Sequence, residues 1–267
     1  MKPVVPMSIL NQITVLIITF NEEPNIGRTL EAVKWASQIL VVDSGSTDAT
    51  ISIAKQYPQV VILQRPFDTF AKQCNYGLAE IKTDWVLSLD ADYQLSADLV
   101  AELERLVPSN EIAGYRASFV YSIFGRPLRA TLYPARTVLY RRNGANYCDE
   151  GHGHRVAILG PVQNLQSKIR HDDRKPIARW FASQQKYAAG EAEYLLSASR
   201  EKLGRNDSIR LLAWPAPIFV FGYTLLVKGC LFDGWAGWYY VLQRTLAEIM
   251  IALAIIDRRL RGATEKQ

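Results

Sequence analysis

The chain has 267 residues, 49% of them hydrophobic, with 31 Lys and Arg against 26 Asp and Glu for a formal net charge of +5. That is enough length and apolar content for one large α/β domain plus an appendage. The modest basic excess fits an acidic substrate or an anionic membrane surface. No dense Lys/Arg stripe interleaved with aromatics occurs, so nucleic acid is the weaker reading. Three widely spaced cysteines (Cys74, Cys148 and Cys230) without a CxxC argue against a disulfide framework or a zinc site and point to a reducing cytosol. The apolar run at 15–18 is too short for the core of a secretory signal and reads as a first strand.

From 13 to about 106 strand and helix patterns alternate. Strands are expected at 13–19, 39–42, 60–63 and 85–89, and helices at 25–37, from Ser46-Thr47-Asp48 to about 57, at 70–81 and at 98–106. This is a doubly wound half with a parallel sheet. Strand patterns follow at 112–123, 137–141 and 154–159, separated by Gly125-Arg126-Pro127 and Asn143-Gly144. A long helix is expected over 177–203. The tail begins with an uncharged stretch at 211–227, close to the minimum for a bilayer span but interrupted by Pro215 and Pro217. It continues at 235–260, where Trp235, Trp238, Tyr239 and Tyr240 precede Arg258, Arg259 and Arg261. Aromatics beside basic residues mark a membrane–water interface, and the prolines and internal charges favour peripheral or monotopic contact over a span. The expected division is a catalytic domain at 1–206 and a membrane-associating helical region at 207–267.

Polar clusters close three of the strands. The first delivers Thr19, Phe20, Asn21 and Glu22, and the second Asp43 and Ser44 before Gly45. The fourth, Trp85-Val86-Leu87-Ser88-Leu89, stops at Asp90-Ala91-Asp92. Right-handed crossovers bring all three clusters to one edge of the sheet, where open α/β folds bind ligands. Two carboxylates one residue apart repel, and a divalent cation carrying a diphosphate would relieve that. Asp43 can accept from a base N–H or a ribose hydroxyl, and Asp92 can hold the metal.

In that order, Val15-Leu16-Ile17-Ile18-Thr19-Phe20-Asn21-Glu22, Val41-Val42-Asp43-Ser44-Gly45-Ser46-Thr47-Asp48 and Leu89-Asp90-Ala91-Asp92 resemble the inverting GT-A glycosyltransferases of family 2. The similarity is greatest to the lipopolysaccharide-core β-glucosyltransferase branch. The resemblance covers about 13–190. It implies a GT-A nucleotide-diphospho-sugar transferase fold in which the first two clusters hold the nucleoside, usually uridine. It further implies that Asp92 binds Mn²⁺ or Mg²⁺, that Asp90 and Ala91 lie against the ribose or sugar, and that Arg65, Lys72 and Asn75 lie near the donor. Similar family members place a histidine-and-basic segment against the diphosphate and metal, here His171-Asp172-Asp173-Arg174-Lys175, with His171 as a candidate further metal ligand and Arg174 or Lys175 as the candidate phosphate clamp. The same residues also read as a charged cap before a long helix.

The chain departs from the family pattern after Asp92, where Tyr93 stands in place of a frequent glutamate, and at Gly153, where a glutamate often follows the histidine. Inverting transfer needs a base to take the acceptor hydroxyl's proton. Candidates are Glu150, Asp149 and His152, with Glu150 favoured. The expected activity is transfer of one sugar from a nucleotide-sugar donor to a lipid-linked or envelope glycan, such as lipopolysaccharide core. Its expected place is the cytosolic face of the plasma membrane. Competing readings are a sugar nucleotidyltransferase, which would need a glycine-rich, arginine-bearing loop after strand one, and a dinucleotide oxidoreductase, which would need GxGxxG there. A third is a non-catalytic membrane-bound partner in glycan assembly.

Overall fold

The computed structural model describes residues 8–150, 153–199, 201 and 203–264. By contact density the chain divides into two compact units. One comprises residues up to Ser122 with Leu132–Arg174, the other Ile123–Thr131 with the residues from Lys175 onward. The boundary falls at 174/175, ahead of the long helix and not after it.

The first unit is built on a seven-stranded sheet. Strands β1 (Ile13–Thr19), β2 (Gln38–Asp43), β3 (Val60–Gln64) and β4 (Trp85–Asp90) are parallel. In the order β12-β6-β9-β4-β1-β2-β3, the antiparallel β9 (Arg136–Arg141) joins β4 to β6 (Gly114–Ala117), and β12 (Val162–Asn164) closes the edge. Val15 and Ile17 enter one apolar cluster with Ile26 and Leu30 of α1 (Ile26–Ala32). Leu16 enters the opposite cluster with Ala71, Cys74 and Leu78 of α3 (Phe70–Glu80). Burial on both faces is why these strands read as unbroken apolar runs. The chain winds outward through β2 and β3 and returns to the other side of β1 with β4, so the switch point lies between β1 and β4. Thr19 lies opposite Asp43, and Ile18 opposite Asp90, so the three polar clusters end nearly level.

Helices α1 and α2 (Thr50–Ala54) are shorter than their sequence patterns. Ser46, Thr47 and Asp48 do not open a helix at once, because they bond back to the loop after β1. Helix α4 (Ala97–Arg105) lies close to expectation, with Ser96 as its N-cap. The pattern at 112–123 resolves into β6 and β7 (Phe119–Ile123). Strand β7 leaves the main sheet to pair with β13 (Ile169–His171), which also pairs with β5 (Tyr93–Leu95). Strands of three residues carry no readable period. Strand β10 (Asn146–Glu150) pairs antiparallel with β11 (Gly153–Ala157).

In the second unit, α5 (Ile177–Ser197) packs with α8 (Gly234–Thr264) through Ala192, Leu195 and Ile255. Between them lie α6 (Arg205–Leu211), α7 (Pro215–Gly222), a π-helical turn at Tyr223–Val227 and a 3-10 turn at Cys230–Asp233. The apolar stretch at 211–227 is therefore not one helix. Ala213 takes φ of 66°, and Pro215 restarts the chain at a helix N-terminus, where its missing N–H costs nothing. Segment Ile123–Thr131, with the two-residue strand β8 (Arg126–Pro127), is anchored in this unit by Arg129. Its N–H donates to Asp233 and its guanidinium pairs with the same carboxylate. Gly237, in the first turn of α8, lies against the preceding turn, and a Cβ there would stand 1.8 Å from the Cys230 carbonyl oxygen. Gly237→Ala must push backbone from backbone, a cost of at least about 1–3 kcal/mol. A lowered midpoint in thermal melts followed by circular dichroism checks this.

Candidate active site

The three polar clusters form one continuous structure at the switch point. After β1 the chain turns sharply at Asn21, whose φ of 54° lies in the left-handed region that asparagine tolerates. Its N–H donates to Ser46 Oγ at 2.7 Å and its Oδ1 accepts from Thr47 N at 2.7 Å. The Glu22 N–H donates to Thr50 Oγ1, and Glu22 Oε2 accepts from Asn25 Nδ2 at 2.8 Å. Thr19 is buried at the strand end and its carbonyl accepts from Ser44 N at 2.9 Å, while Phe20 leaves half its ring surface exposed.

Asp43, expected to face a base or ribose, is fully buried. One carboxylate oxygen accepts from Gly45 N and Ser46 N at 3.0 Å each, and the other from the Ser46 hydroxyl. These bonds hold Gly45 at φ of 90°, so Asp43 shapes the loop from beneath it. Ser44 Oγ accepts from Gln73 Nε2 at 2.8 Å. Gln73, itself buried, also donates to the Arg65 carbonyl and accepts from the Arg65 guanidinium at 3.0 Å. Arg65 forks onto Asp68, which Lys72 also approaches at 3.3 Å.

At the end of β4, Ala91 turns inward and its carbonyl accepts from Thr29 Oγ1 at 2.6 Å. Asp92 Oδ2 lies 3.1 Å from His171 Nε2, both side chains about one-tenth exposed. Residues 79 apart in sequence meet because β13 pairs with β5, directly after Asp92. Tyr121 and Tyr133 stand edge-on to the imidazole at centroid distances of 4.7 Å, and Tyr93 at 5.3 Å. Burial works against protonating His171. The charge and hydrogen bond of Asp92, with Asp90 and Asp173 beyond, outweigh it and raise the pKa. Its Nδ1 is buried without a hydrogen-bond partner among the described residues.

Two groups near the carboxylates carry no motif. Arg136, on β9, lies over the Tyr133 ring at 5.1 Å. Burial opposes its charge, but Tyr93, Tyr133, Asp90 and Asp92 raise its pKa, which makes it a counter-charge to the acidic pair. His154, on β11, stacks on Phe70 at 5.6 Å and lies opposite Asp149 across the hairpin. Burial lowers its pKa despite Asp90 and Asp149, which keeps the imidazole neutral near pH 7. Both arrive through pairing between distant strands, and no local spacing announces them.

Asp149 Oδ1 accepts from Ala71 N at 3.2 Å, at the start of α3. Asn75, expected near the donor, joins both its amide atoms to the backbone of Tyr147, at 2.8 and 2.9 Å, and pins β10 to α3. The backbone of Glu150 ends β10. Its side chain, and His152 entirely, lie outside the described residues. Arg174, expected against phosphate, pairs with Asp172 at 2.9 Å, as does Arg28. Asp172 is buried, and Arg28 also donates to its carbonyl, so this triad fastens the segment after His171 to the start of α1. Asp172→Asn leaves two guanidinium groups facing each other without their shared anion. A loss of about 3 kcal/mol is expected, at the low end for a broken buried pair because both arginines keep some solvent. Urea unfolding curves measure it.

A carboxylate and an imidazole in contact fit a divalent cation that completes its shell with phosphate oxygens and water. Among the described residues no cluster of three or more His, Cys, Asp or Glu offers a complete metal cage.

A doubly wound sheet whose switch point carries these three clusters has the GT-A fold. The model of glycosyl transferase family 2 matches residues 14–156, and the chain belongs to that family. A relative named uncharacterized glycosyltransferase from Rickettsia felis is 36% identical over 244 residues, covering 84% of this chain and 86% of the relative. The lipopolysaccharide core biosynthesis glycosyltransferase LpsC of Rhizobium meliloti is 32% identical over 123 residues, covering 44% of this chain and 43% of its own. Among solved structures, the mannosyltransferase PcManGT from Pyrobaculum calidifontis, in complex with GDP-Man and Mn²⁺, superposes with a TM-score of 0.51. It is 16% identical and the match covers 93% of this chain and 87% of that one. The protein is thus a glycosyltransferase, with the GT-A fold and a long apolar C-terminal helix.

Proposed function

We propose that the protein transfers one sugar, with inversion and with the help of a divalent metal, from a nucleotide-diphosphate sugar to a lipid-linked or envelope glycan acceptor. The observation that carries this reading is the Asp92–His171 pair beside Asp90 at the switch point. Asp92 and His171 are the residues that would hold Mn²⁺ or Mg²⁺. The ion, when bound, would offset charge on the departing nucleoside diphosphate. Arg136 moderates the same field from the chain itself. The loop formed by Asn21, Asp43, Ser44 and Gly45 cradles the nucleoside, with Asp43 as its internal brace. A UDP-sugar is the preferred donor, on the family resemblance. PcManGT's GDP-Man makes the guanosine series the natural comparison. The kinship to LpsC supports a lipopolysaccharide-core acceptor.

In the transfer, Glu150 takes the proton of the acceptor hydroxyl. The oxygen attacks the anomeric carbon from the face opposite the diphosphate, and the bond to the diphosphate breaks. Asp149 is held at the start of α3 and sets the direction of the β10–β11 hairpin. The apolar surface of the second unit supports contact with a membrane on the cytosolic side, where nucleotide sugars are made.

A thermal-shift panel of UDP- and GDP-sugars, with and without Mn²⁺, tests the donor site. Metal-dependent stabilisation by one donor, lost in Asp92→Ala while the unliganded midpoint is kept, is the expected result. Equal shifts in the variant would remove Asp92 from the metal site. For the base, Glu150→Gln should lower turnover by about 10²–10⁴-fold with donor binding intact. If Asp149→Asn does so and Glu150→Gln does not, the base is Asp149.

A further inference from the structure

The second unit leaves a broad apolar surface facing outward. Trp214, Phe219, Leu226, Val227, Phe232 and Trp235 are each at least half exposed, and they run from the start of α7 to the start of α8. Three cations border this surface, each set over one of its aromatic rings. Lys228 lies 5.5 Å from the Tyr223 centroid, Arg129 5.6 Å from Phe232 and Arg126 5.5 Å from Trp235. Arg126 and Arg129 come from segment Ile123–Thr131, well outside the C-terminal tail that the hydropathy pattern singles out. An aromatic ring at the edge of hydrocarbon with a cation above it is suited to headgroup depth, the ring among acyl chains and the charge among phosphates.

Helix length alone would allow Cys230–Gly262 to cross a bilayer, but the packing opposes it. Near the middle of α8, the buried Glu248 accepts from Arg210 of α6 at 2.6 and 3.0 Å, and Arg210 also pairs with Glu191 of α5 at 3.1 Å. A spanning α8 would carry this ion triad into hydrocarbon, or tear Glu248 from its partner. A helix lying in the interface keeps the triad on the aqueous side and turns Leu242, Leu253 and Leu260, all largely exposed, toward lipid.

We infer that the second unit seats in the plane of a bilayer bearing anionic phospholipids, through the α7–α8 apolar surface and the Arg126, Arg129 and Lys228 rim. This rests on the membrane-contact reading above and adds the lipid class, the in-plane geometry and the inserted segment.

The test is flotation of the full chain with vesicles of phosphatidylcholine alone or mixed with phosphatidylglycerol. Binding to the anionic vesicles should be stronger by about 25-fold at low salt, about fivefold for each of Arg126 and Lys228 with Arg129 offset by Asp233, and should fall as salt rises. Arg126→Gln with Lys228→Gln should cost about 25-fold on anionic vesicles and little on neutral ones. Alkaline carbonate should release the bound protein. Equal binding to both vesicle types overturns the anionic rim while leaving membrane contact standing, and resistance to carbonate overturns the in-plane geometry. Failure to bind any vesicle overturns both readings, and a lipid-free dimer in the same preparation would then assign the surface to a second copy. The wild-type lipid and salt comparisons need no variant to fold.

Discussion

Carboxylates gathered at one edge of a parallel sheet repel one another, and much of the first unit is arranged to offset that repulsion. Registration of β1, β2 and β4 makes the crowding unavoidable, since it stops three strands at nearly the same level. Each acidic group is met differently. Asp43 is satisfied by backbone and hydroxyl donors of its own loop, Asp92 by an imidazole, and Asp172 by two guanidinium groups. Arg136 serves the pair at 90 and 92 through space. What these arrangements leave to be neutralised sits at the β4 terminus, which is where the proposed cation and diphosphate would bind.

The parallel half was legible because its strands are buried on both faces and their polar endings are abrupt. Ile13–Thr19 and Val60–Gln64 lie within a residue of their patterns. The clusters after β1, β2 and β4 were legible as a set, because strand order alone brings them together. The division of labour inside them was not. Asp43 and Asp90 look alike in a sequence, and only the fold shows that Asp43 accepts from Gly45 and Ser46 of its own loop. Asn75 and Arg174 show the same limit, since their partners, Tyr147 and Asp172, are chosen by how strands and helices dock. His154 and Arg136 lie on strands whose pairing no local period encodes.

The second unit was legible in composition and illegible in layout. Its aromatic and basic residues stand out in the chain, yet the prolines that seem only to interrupt a helix also restart one, and the charge inside α8 has its partner on α6. A glutamate in an apolar helix is costly when alone. Paired with Arg210, it records which side of the helix faces protein and which faces elsewhere.

Helix α3 ties two parts of the first unit together. Through Gln73 it holds Ser44 and Arg65. Through the Ala71 N–H and Asn75 it holds the hairpin that bears Asp149 and the Glu150 backbone. The Ser44–Arg65 region and the β10–β11 hairpin therefore hang on one helix, and a substitution that slides α3 along the sheet moves both.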